Sequence, residues 1–315
     1  MLRRVMVTLI AFAFLSGCGT PSTTTPDITP APSPTNLPPK TTVTPEVPTE
    51  TPLPTNTSFP PTPTPILPRN PELGQKWTRP TDGMTIVFIP AGEFEMGSTE
   101  DVHCSHLDER PRHTVYLDDY WIDQTPVTNA HYQICVDAGA CPPPTDCDWG
   151  DPTYGDESKE DHPVVCLSWD EARAYCEWVG GTLPTEAQWE KAARGTDLRE
   201  YPWGDTFDTA LCNTDESAIG ETTPVGFYSP IGDSPYGLVD MAGNVWEWVI
   251  DWYDIGYYPE SPKNNPQGPQ GGRWRSLRGG SYYGDYCNAR TAYRYYDVPY
   301  GSGAGVGFRC VVPSS

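Results

Sequence analysis

The chain has 315 residues, 20% of them charged, and a formal net charge of −22 at neutral pH. Proteins that bind nucleic acid need Lys and Arg side chains to neutralise phosphates, so this acidic balance argues against a nucleic-acid partner. It also argues against electrostatic adhesion to anionic lipids. An acidic surface is compatible with calcium binding; the alternative is that the charge serves solubility alone.

The N-terminus has the features of a secretory signal. Two arginines precede an apolar run over residues 5–15, and the sequence Leu-Ser-Gly-Cys follows and ends at Cys18. The apolar run is too short to cross a bilayer core of ~30 Å as a helix. The ending resembles a bacterial lipobox, so we predict a signal peptide over residues 1–17 and a lipid on Cys18. The protein would then be anchored to the outer face of a bacterial cell membrane; the alternative is an ordinary signal peptide with an incidental cysteine.

Residues 18–68 are predicted to form a stalk. From residue 19 to residue 68 there are 16 Pro and 15 Thr, and Phe59 is the single aromatic residue. This composition buries too little apolar area to offset the entropy of ordering, and proline favours an extended chain. The stalk would hold a folded domain away from the membrane; the alternative is a proline-rich ligand for a partner domain.

A strand and a helix are the first elements predicted beyond the stalk. Residues 84–90 read Met-Thr-Ile-Val-Phe-Ile-Pro, a β-branched and aromatic run that ends at a turn. Thr128 is suited to cap a helix that runs to about Ala138, because its hydroxyl can accept a hydrogen bond from a first-turn N–H.

Two capping boxes predict two further helices. Ser168 pairs with Glu171 and Thr185 pairs with Gln188, each at the spacing in which side chain and backbone satisfy one another. The second helix should end at Gly195.

The C-terminal part of the chain predicts little regular structure. Beyond about residue 200 there is no long helical period, and short strand-like segments at 245–250 and 306–312 lie among Gly, Asn and Pro. The predicted fold class is therefore α+β, with a few packed helices and much irregular structure.

The cysteines predict disulfides, because the chain has ten of them and an export signal. Without Cys18 an odd number remains, so at least one is free or paired with another chain. We predict Cys176 as the free thiol, since it falls on the apolar face of the helix that begins after Ser168. The pairing of the others cannot be deduced from the sequence.

Eight short motifs follow one another in a characteristic order. They stand at residues 89–98 (IPAGEFEMGS), 126–129 (PVTN), 162–165 (HPVV), 183–190 (LPTEAQWE), 201–204 (YPWG), 237–248 (GLVDMAGNVWEW), 278–281 (RGGS) and 307–310 (GFRC). In this order and spacing they resemble the formylglycine-generating-enzyme, or sulfatase-modifying factor, family over residues 80–312. The resemblance implies an irregular variant of the C-type-lectin-like fold, stabilised by disulfides and calcium.

The resemblance places a calcium site in the loop from Asp240 to Glu247. The two carboxylates and the main-chain carbonyls of Gly243 and Val245 would supply the oxygen ligands that calcium requires. The alternative is a hydrogen-bonded turn without metal.

A second site of the family would begin at Asn213 and Thr214. Its acidic ligand is left open among Asp215, Glu216 and Glu221.

The resemblance also implies a catalytic centre, in which two nearby cysteines bind Cu(I) and oxidise a sulfatase cysteine to formylglycine. The first of these cysteines follows a Gly-Gly-Ser, and Gly284 occupies its position here, whereas Cys287 resembles the second. Ser281, Trp246 and Arg294 match positions that line the family's substrate groove. The groove is thus predicted without a complete two-thiolate copper centre.

Iron-dependent relatives suggest another metal. His103 and His106, with Glu109 beyond them, could ligate an ion if they lay on a helix, although a surface loop with unrelated histidines is the plainer interpretation.

Three functions therefore compete. The first is a non-catalytic binding or scaffolding module for a protein, peptide or glycan ligand, and the second is a formylglycine-generating oxidase. The third is another metal-dependent oxidoreductase or maturation factor of the same superfamily. Cys287 has an alternative role as a disulfide partner, for example of Cys310.

Overall fold

The computed structural model describes residues 67–68, 70–145 and 147–314 of the chain. The predicted signal peptide, the predicted lipidation site Cys18 and nearly all of the predicted stalk lie outside these residues.

The described residues contain three short α-helices, four single-turn 3-10 helices and ten short strands. The helices are α1 (Asn129–Asp137), α2 (Trp169–Trp178) and α3 (Glu186–Arg194). The strands are β1 (Lys76–Thr78), β2 (Thr85–Ile89), β3 (Gly92–Met96), β4 (His113–Leu117), β5 (Tyr120–Asp123), β6 (Trp246–Trp252), β7 (Arg275–Arg278), β8 (Tyr295–Asp297), β9 (Val306–Phe308) and β10 (Val311–Pro313).

Each helix begins at the predicted cap. Thr128 accepts a hydrogen bond from the first turn of α1. Ser168 and Glu171 form a complete capping box at the start of α2, and Thr185 and Gln188 form another at the start of α3. These local predictions are confirmed because a capping box depends only on residues three positions apart.

The strands form three sheets. One sheet has the order β1-β2-β5-β10 and is antiparallel throughout, and β3 and β4 form a separate pair. The third sheet has the order β8-β7-β6-β9, in which β6 and β9 run parallel and Trp246 lies opposite Val306. The fold is therefore α+β with little regular structure, as predicted.

The segment predicted as one strand over residues 306–312 is two strands in different sheets. β9 pairs with β6, whereas β10 pairs with β5. The chain changes sheets at Arg309, whose guanidinium turns inward and donates to both carboxylate oxygens of Glu247 at 2.7 Å.

Three fully buried tryptophans, Trp121, Trp189 and Trp248, contribute much of the core. The indole of Trp248 donates to the carbonyl of Leu167 at 3.1 Å, and the indole of Trp189 donates to Glu247 at 2.8 Å. Both N–H groups are satisfied, so each ring adds apolar contact area without an unpaired donor.

Four disulfides crosslink the described residues, in agreement with the predicted oxidising compartment. They join Cys104 to Cys287, Cys135 to Cys141, Cys147 to Cys166 and Cys176 to Cys310.

The prediction for Cys176 is wrong, whereas the alternative role of Cys287 as a disulfide partner is confirmed, with Cys104 in place of Cys310. Cys176 is not free: the inner face of α2 packs against the segment between β9 and β10, which brings its Cα to 5.3 Å from that of Cys310. Cys287 therefore does not pair with Cys310. The free cysteine of the described residues is Cys212, which is buried, and burial raises the pKa of its thiol to about 12.

Candidate functional site

A cavity of about 310 Å³ opens where the start of β6, the loop after β7 and the start of β8 meet. Trp246, Tyr283, Tyr293 and Tyr295 contribute aromatic rings to its wall. We call these four residues the aromatic wall. Of the three residues predicted to line a groove, only Trp246 is among the lining residues of this cavity.

The loop after β7 is shaped by two adjacent glycines. Gly279 and Gly280 adopt φ values of +97° and +76°, which L side chains rarely adopt. A Cβ at Gly280 would also approach the backbone of Asn288 to 3.0 Å. The chain therefore folds back tightly after Gly280 and brings Tyr283 and Asn288 to the cavity.

Two carboxylates stand at the exposed rim of the cavity, Asp215 and Asp285. Oδ1 of Asp285 accepts hydrogen bonds from the backbone N–H groups of Cys287 (3.0 Å) and Asn288 (3.2 Å). These two hydrogen bonds hold the loop after β7 in place. The backbone N–H of Asp215 donates to the carbonyl of Gly284 in the same loop at 2.9 Å. The two acidic residues thus reach the same cavity from different segments.

Arg294 points away from the cavity into the protein. Its side chain is buried and forms an ion pair with Glu186 at 2.9 Å. One Nη also donates to the carbonyls of Asp108 (2.8 Å) and Asp254 (3.1 Å). All of these contacts are structural, so Arg294 crosslinks segments of the fold and does not face the cavity. Ser281 is fully buried and does not line the cavity either.

Cys287 is bonded to Cys104, a residue far away in the sequence. At Gly284, the position of the family's first catalytic cysteine, a Cβ would come within 2.7 Å of Oδ1 of Asn288. A side chain there requires the Asn288 side chain to move. Of the two predicted catalytic positions, one therefore carries a glycine, and the other carries a cysteine that is oxidised to a disulfide.

The histidine cluster of the sequence analysis is divided by the structure. His103 lies in a loop, where its Nε2 is 2.9 Å from the hydroxyl of Tyr286. Glu109 is buried and binds the guanidinium of Arg290 with both oxygens, at 2.6 and 2.9 Å. Glu109 is therefore already neutralised, and the two histidines do not share a helix that could present them with it to a metal.

A different potential ligand group appears instead. A ring nitrogen of His103 and the sulfur atoms of Cys104 and Cys287 all lie within 4.8 Å of one another. In the oxidised state the sulfurs are bonded to each other and are not available as thiolates.

The predicted calcium loop begins at a buried carboxylate. Asp240 adopts φ +53°, and its Oδ2 accepts a hydrogen bond from the backbone N–H of Gly226 at 3.0 Å. Burial raises the pKa of Asp240 to about 6, and the hydrogen bond from Gly226 and the charge of the Arg309 guanidinium offset this only in part. The carboxylate of Asp240 is therefore a suitable ligand for a cation. Glu247 does not, because its two oxygens are paired with the guanidinium of Arg309.

Gly243 connects the two segments predicted to bind calcium. It adopts φ +74°, and a Cβ there would collide with the carbonyl oxygen of Asn213. The neighbouring Asn244 donates its backbone N–H to that same oxygen at 2.8 Å. Thr214 is fully buried beside this contact, and Val245 is buried directly before β6.

Two acidic candidates for the second calcium site are engaged elsewhere. Glu216 accepts from the backbone of Tyr286 at 3.0 Å, and Glu221 forms an ion pair with Lys159 at 2.7 Å. Asp215 stands at the rim of the cavity.

Sequence reasoning missed most of the cavity residues. Cys104 was not connected with Cys287, because no local pattern links residues so far apart. Tyr283, Tyr293 and Tyr295 belong to an aromatic-rich run after the Gly-Gly-Ser. That run was the available signal, since a cluster of exposed aromatic residues in a loop is typical of a binding surface.

Comparison with known proteins gives the family. A family description, the sulfatase-modifying factor enzyme 1-like domain, matches residues 72–313. The chain is 36% identical to the formylglycine-generating enzyme of Streptomyces coelicolor over 286 residues, which cover 74% of this chain and 90% of that protein. It is 32% identical to the formylglycine-generating enzyme of Bos taurus, covering 74% of this chain and 75% of that protein.

Solved structures agree on the fold. PvdO from Pseudomonas aeruginosa superposes with a TM-score of 0.68 at 23% identity, covering 77% of this chain and 99% of that chain. The fold is thus the C-type-lectin-like fold with low regular structure that the motifs implied. The chain belongs to the sulfatase-modifying factor family, to which the formylglycine-generating enzymes also belong.

Proposed function

We propose that the protein is a lipid-anchored, extracytoplasmic member of its family whose folded domain is a non-catalytic binding or scaffolding module. The observation that carries this proposal is the pair of residues at the predicted catalytic positions. One is Gly284, which has no thiol, and the other is Cys287, which is crosslinked to Cys104.

A copper centre of the family's kind needs two neighbouring thiolates, because soft sulfur ligands select Cu(I). Among the described residues the free thiol is that of Cys212, and its raised pKa of about 12 keeps it protonated at neutral pH. Its side chain is also 1% exposed. These facts argue against oxidase chemistry and leave the cavity as a place for binding.

The localisation rests on two kinds of support. The four disulfides are those of an exported protein. The lipobox-like ending at Cys18 and the stalk over residues 18–68 support attachment through a lipid. No helix in the described part of the chain is long and apolar enough to cross a bilayer.

We also propose that calcium binds beside Asp240. The buried carboxylate of Asp240 and the main-chain carbonyls of Gly243 and Val245, which belong to the same loop, are chemically suitable oxygen ligands. Glu247 is excluded from this proposal because Arg309 already neutralises it.

The alternative function is that of a formylglycine-generating oxidase, or of another metal-dependent oxidoreductase or maturation factor. The names of the relatives favour the first form. The proximity of His103 to Cys104 and Cys287 favours a metal-dependent form, provided that the disulfide is first reduced.

Copper titration of the protein separates these functions. We expect no stoichiometric Cu(I) uptake by the oxidised protein, in which Cys104 and Cys287 are bonded to each other, and no conversion of a cysteine-containing sulfatase peptide either before or after mild reduction. Stoichiometric Cu(I) binding that is lost in Cys287→Ala, together with peptide oxidation, would refute the binding module. Cys212→Ala is the matched control, because it removes a thiol outside the predicted catalytic positions.

A further inference from the structure

The cavity combines aromatic rings with negative charge, and this combination indicates a class of ligand. We propose that the cavity binds a methylated ammonium group, such as the head of a choline-type ligand. The inference rests on the proposed binding function and deepens it by naming what is bound.

The first step is the arrangement of the aromatic wall. Trp246 is 2% exposed and forms the inner part, whereas Tyr283 and Tyr295 are 43% and 44% exposed and stand at the opening. The ring centroid of Trp246 lies 5.0 Å from that of Tyr295 and 5.9 Å from that of Tyr293. The planes of Trp246 and Tyr295 are 23° apart, so these two rings are stacked and form one continuous side of the cavity. A cation over the exposed face of such a ring is attracted by it.

The second step is the charge at the opening. Asp215 and Asp285 both line the cavity, and no Lys or Arg is among its described lining residues. One guanidinium lies near the aromatic wall: that of Arg290 is 5.9 Å from the ring centroid of Tyr293. Its charge is neutralised by the two-pronged pair with Glu109. The opening therefore keeps an excess of negative charge.

The tyrosines of the wall respond to these surroundings. The pKa of Tyr293 is raised to about 12, first by burial and then by the carboxylates of Asp108, Asp285 and Glu109. The pKa of Tyr283 is raised to about 12, mainly by burial. Both phenols are neutral at physiological pH, so their rings add no positive or negative charge of their own.

The third step separates a methylated ammonium from other ligands. A primary ammonium is strongly hydrated and requires three hydrogen-bond acceptors, and the two carboxylates at the exposed rim meet only part of that requirement. A quaternary ammonium has no N–H group, and its methyl groups gain from contact with aromatic faces. A neutral sugar could also stack on the rings and donate hydrogen bonds to the two carboxylates, but it carries no charge for the acidic rim to attract. The volume of about 310 Å³ suits a small head group.

The experiment is calorimetric titration of the mature, oxidised protein with choline and with tetramethylammonium. The matched ligand control is the uncharged carbon isostere of choline, which has the same shape. We expect choline to bind at least roughly tenfold more tightly than the isostere, because only the charged ligand gains from the rings and the carboxylates.

Variants at the exposed rim test the site without disturbing the core. We expect Tyr295→Leu and Asp215→Asn each to weaken choline binding roughly fivefold, and Tyr295→Phe to retain it because the ring remains. The controls are Tyr300→Leu, at a tyrosine 78% exposed, and Asp137→Asn, neither of which lines the cavity. Both controls should bind choline like the parent protein.

Several outcomes would overturn the inference. They are the absence of choline and tetramethylammonium binding, equal binding of the isostere, or tighter binding of a primary alkylammonium or of an oligosaccharide. Any of them leaves the copper and peptide results untouched, so failure here is distinguishable from failure of the proposed function. Sedimentation of the Cys18→Ser variant, which cannot carry the proposed lipid, with phosphatidylcholine vesicles and with phosphatidylglycerol vesicles as control then tells whether the bound head group belongs to a lipid or to a free molecule.

Discussion

The crosslink between Cys104 and Cys287 makes a quantitative prediction about stability. The two residues are 183 positions apart, but the other three disulfides shorten the covalent path between them. Through those bridges the path is roughly 70 residues, for which the chain-entropy treatment gives about 4.4 kcal/mol. The double variant Cys104→Ala/Cys287→Ala should lose about this much free energy of unfolding.

The matched control is the bridge between Cys135 and Cys141, which closes a separation of only six residues. The same treatment gives about 2 kcal/mol for so short a loop, so the double alanine variant there should lose about half as much. Guanidinium denaturation, followed by tryptophan fluorescence under oxidising conditions, measures both losses.

Thiol titration checks the connectivity independently. Cys104→Ala alone should expose one additional reactive thiol in the native state, that of Cys287, because Cys212 is buried. Equal losses in the two double variants, or a loss below about 1 kcal/mol for the Cys104–Cys287 pair, would refute the reasoning from path length.

Three further predictions concern single residues. Gly284→Cys should lower the free energy of unfolding by about 1–2 kcal/mol in a denaturant titration, because the new side chain displaces Asn288; an unchanged midpoint would contradict the close approach. Arg309→Met should cost at least about 3 kcal/mol in the same assay, because it leaves Glu247 charged, buried and unpaired, whereas the double change with Glu247→Met should recover part of the loss. Burial raises the pKa of Asp240 to about 6, so its folded form favours the proton, and its contribution to stability should be lost as the pH rises from about 4 through 6. Melting curves across this range should show the loss reversed by calcium and absent in Asp240→Asn; no effect of calcium on the parent protein would contradict the proposed site.

The predictable parts of this fold are those that short stretches of sequence encode. The caps at Ser168 and Thr185 satisfy backbone groups within their own first turns, so the two helices were predictable from residues three positions apart. The motif order was equally informative, because it predicted the family to which the comparisons assign residues 72–313.

The site was predictable only in part, because its geometry depends on contacts between distant segments. Arg294 matches a groove position, but the structure uses it to hold Glu186 and two backbone carbonyls. Cys176 has the helical spacing of a buried apolar residue, and the same burial placed it against Cys310. In both cases the sequence pattern predicted which type of residue stands at the position and that it is buried. The contact partner could not be predicted, because it depends on how α2, α3 and the C-terminal strands pack.

The bridge from Cys104 lands between Asp285 and Asn288, two residues that line the cavity. Its formation therefore fixes part of the cavity wall as well as stabilising the fold. Copies of the chain held in a reducing cytoplasm would carry an unfinished surface, and binding competence would be acquired only on passage into an oxidising compartment. Under the proposed function, export would then act as a maturation step, because binding would begin only after this disulfide has formed.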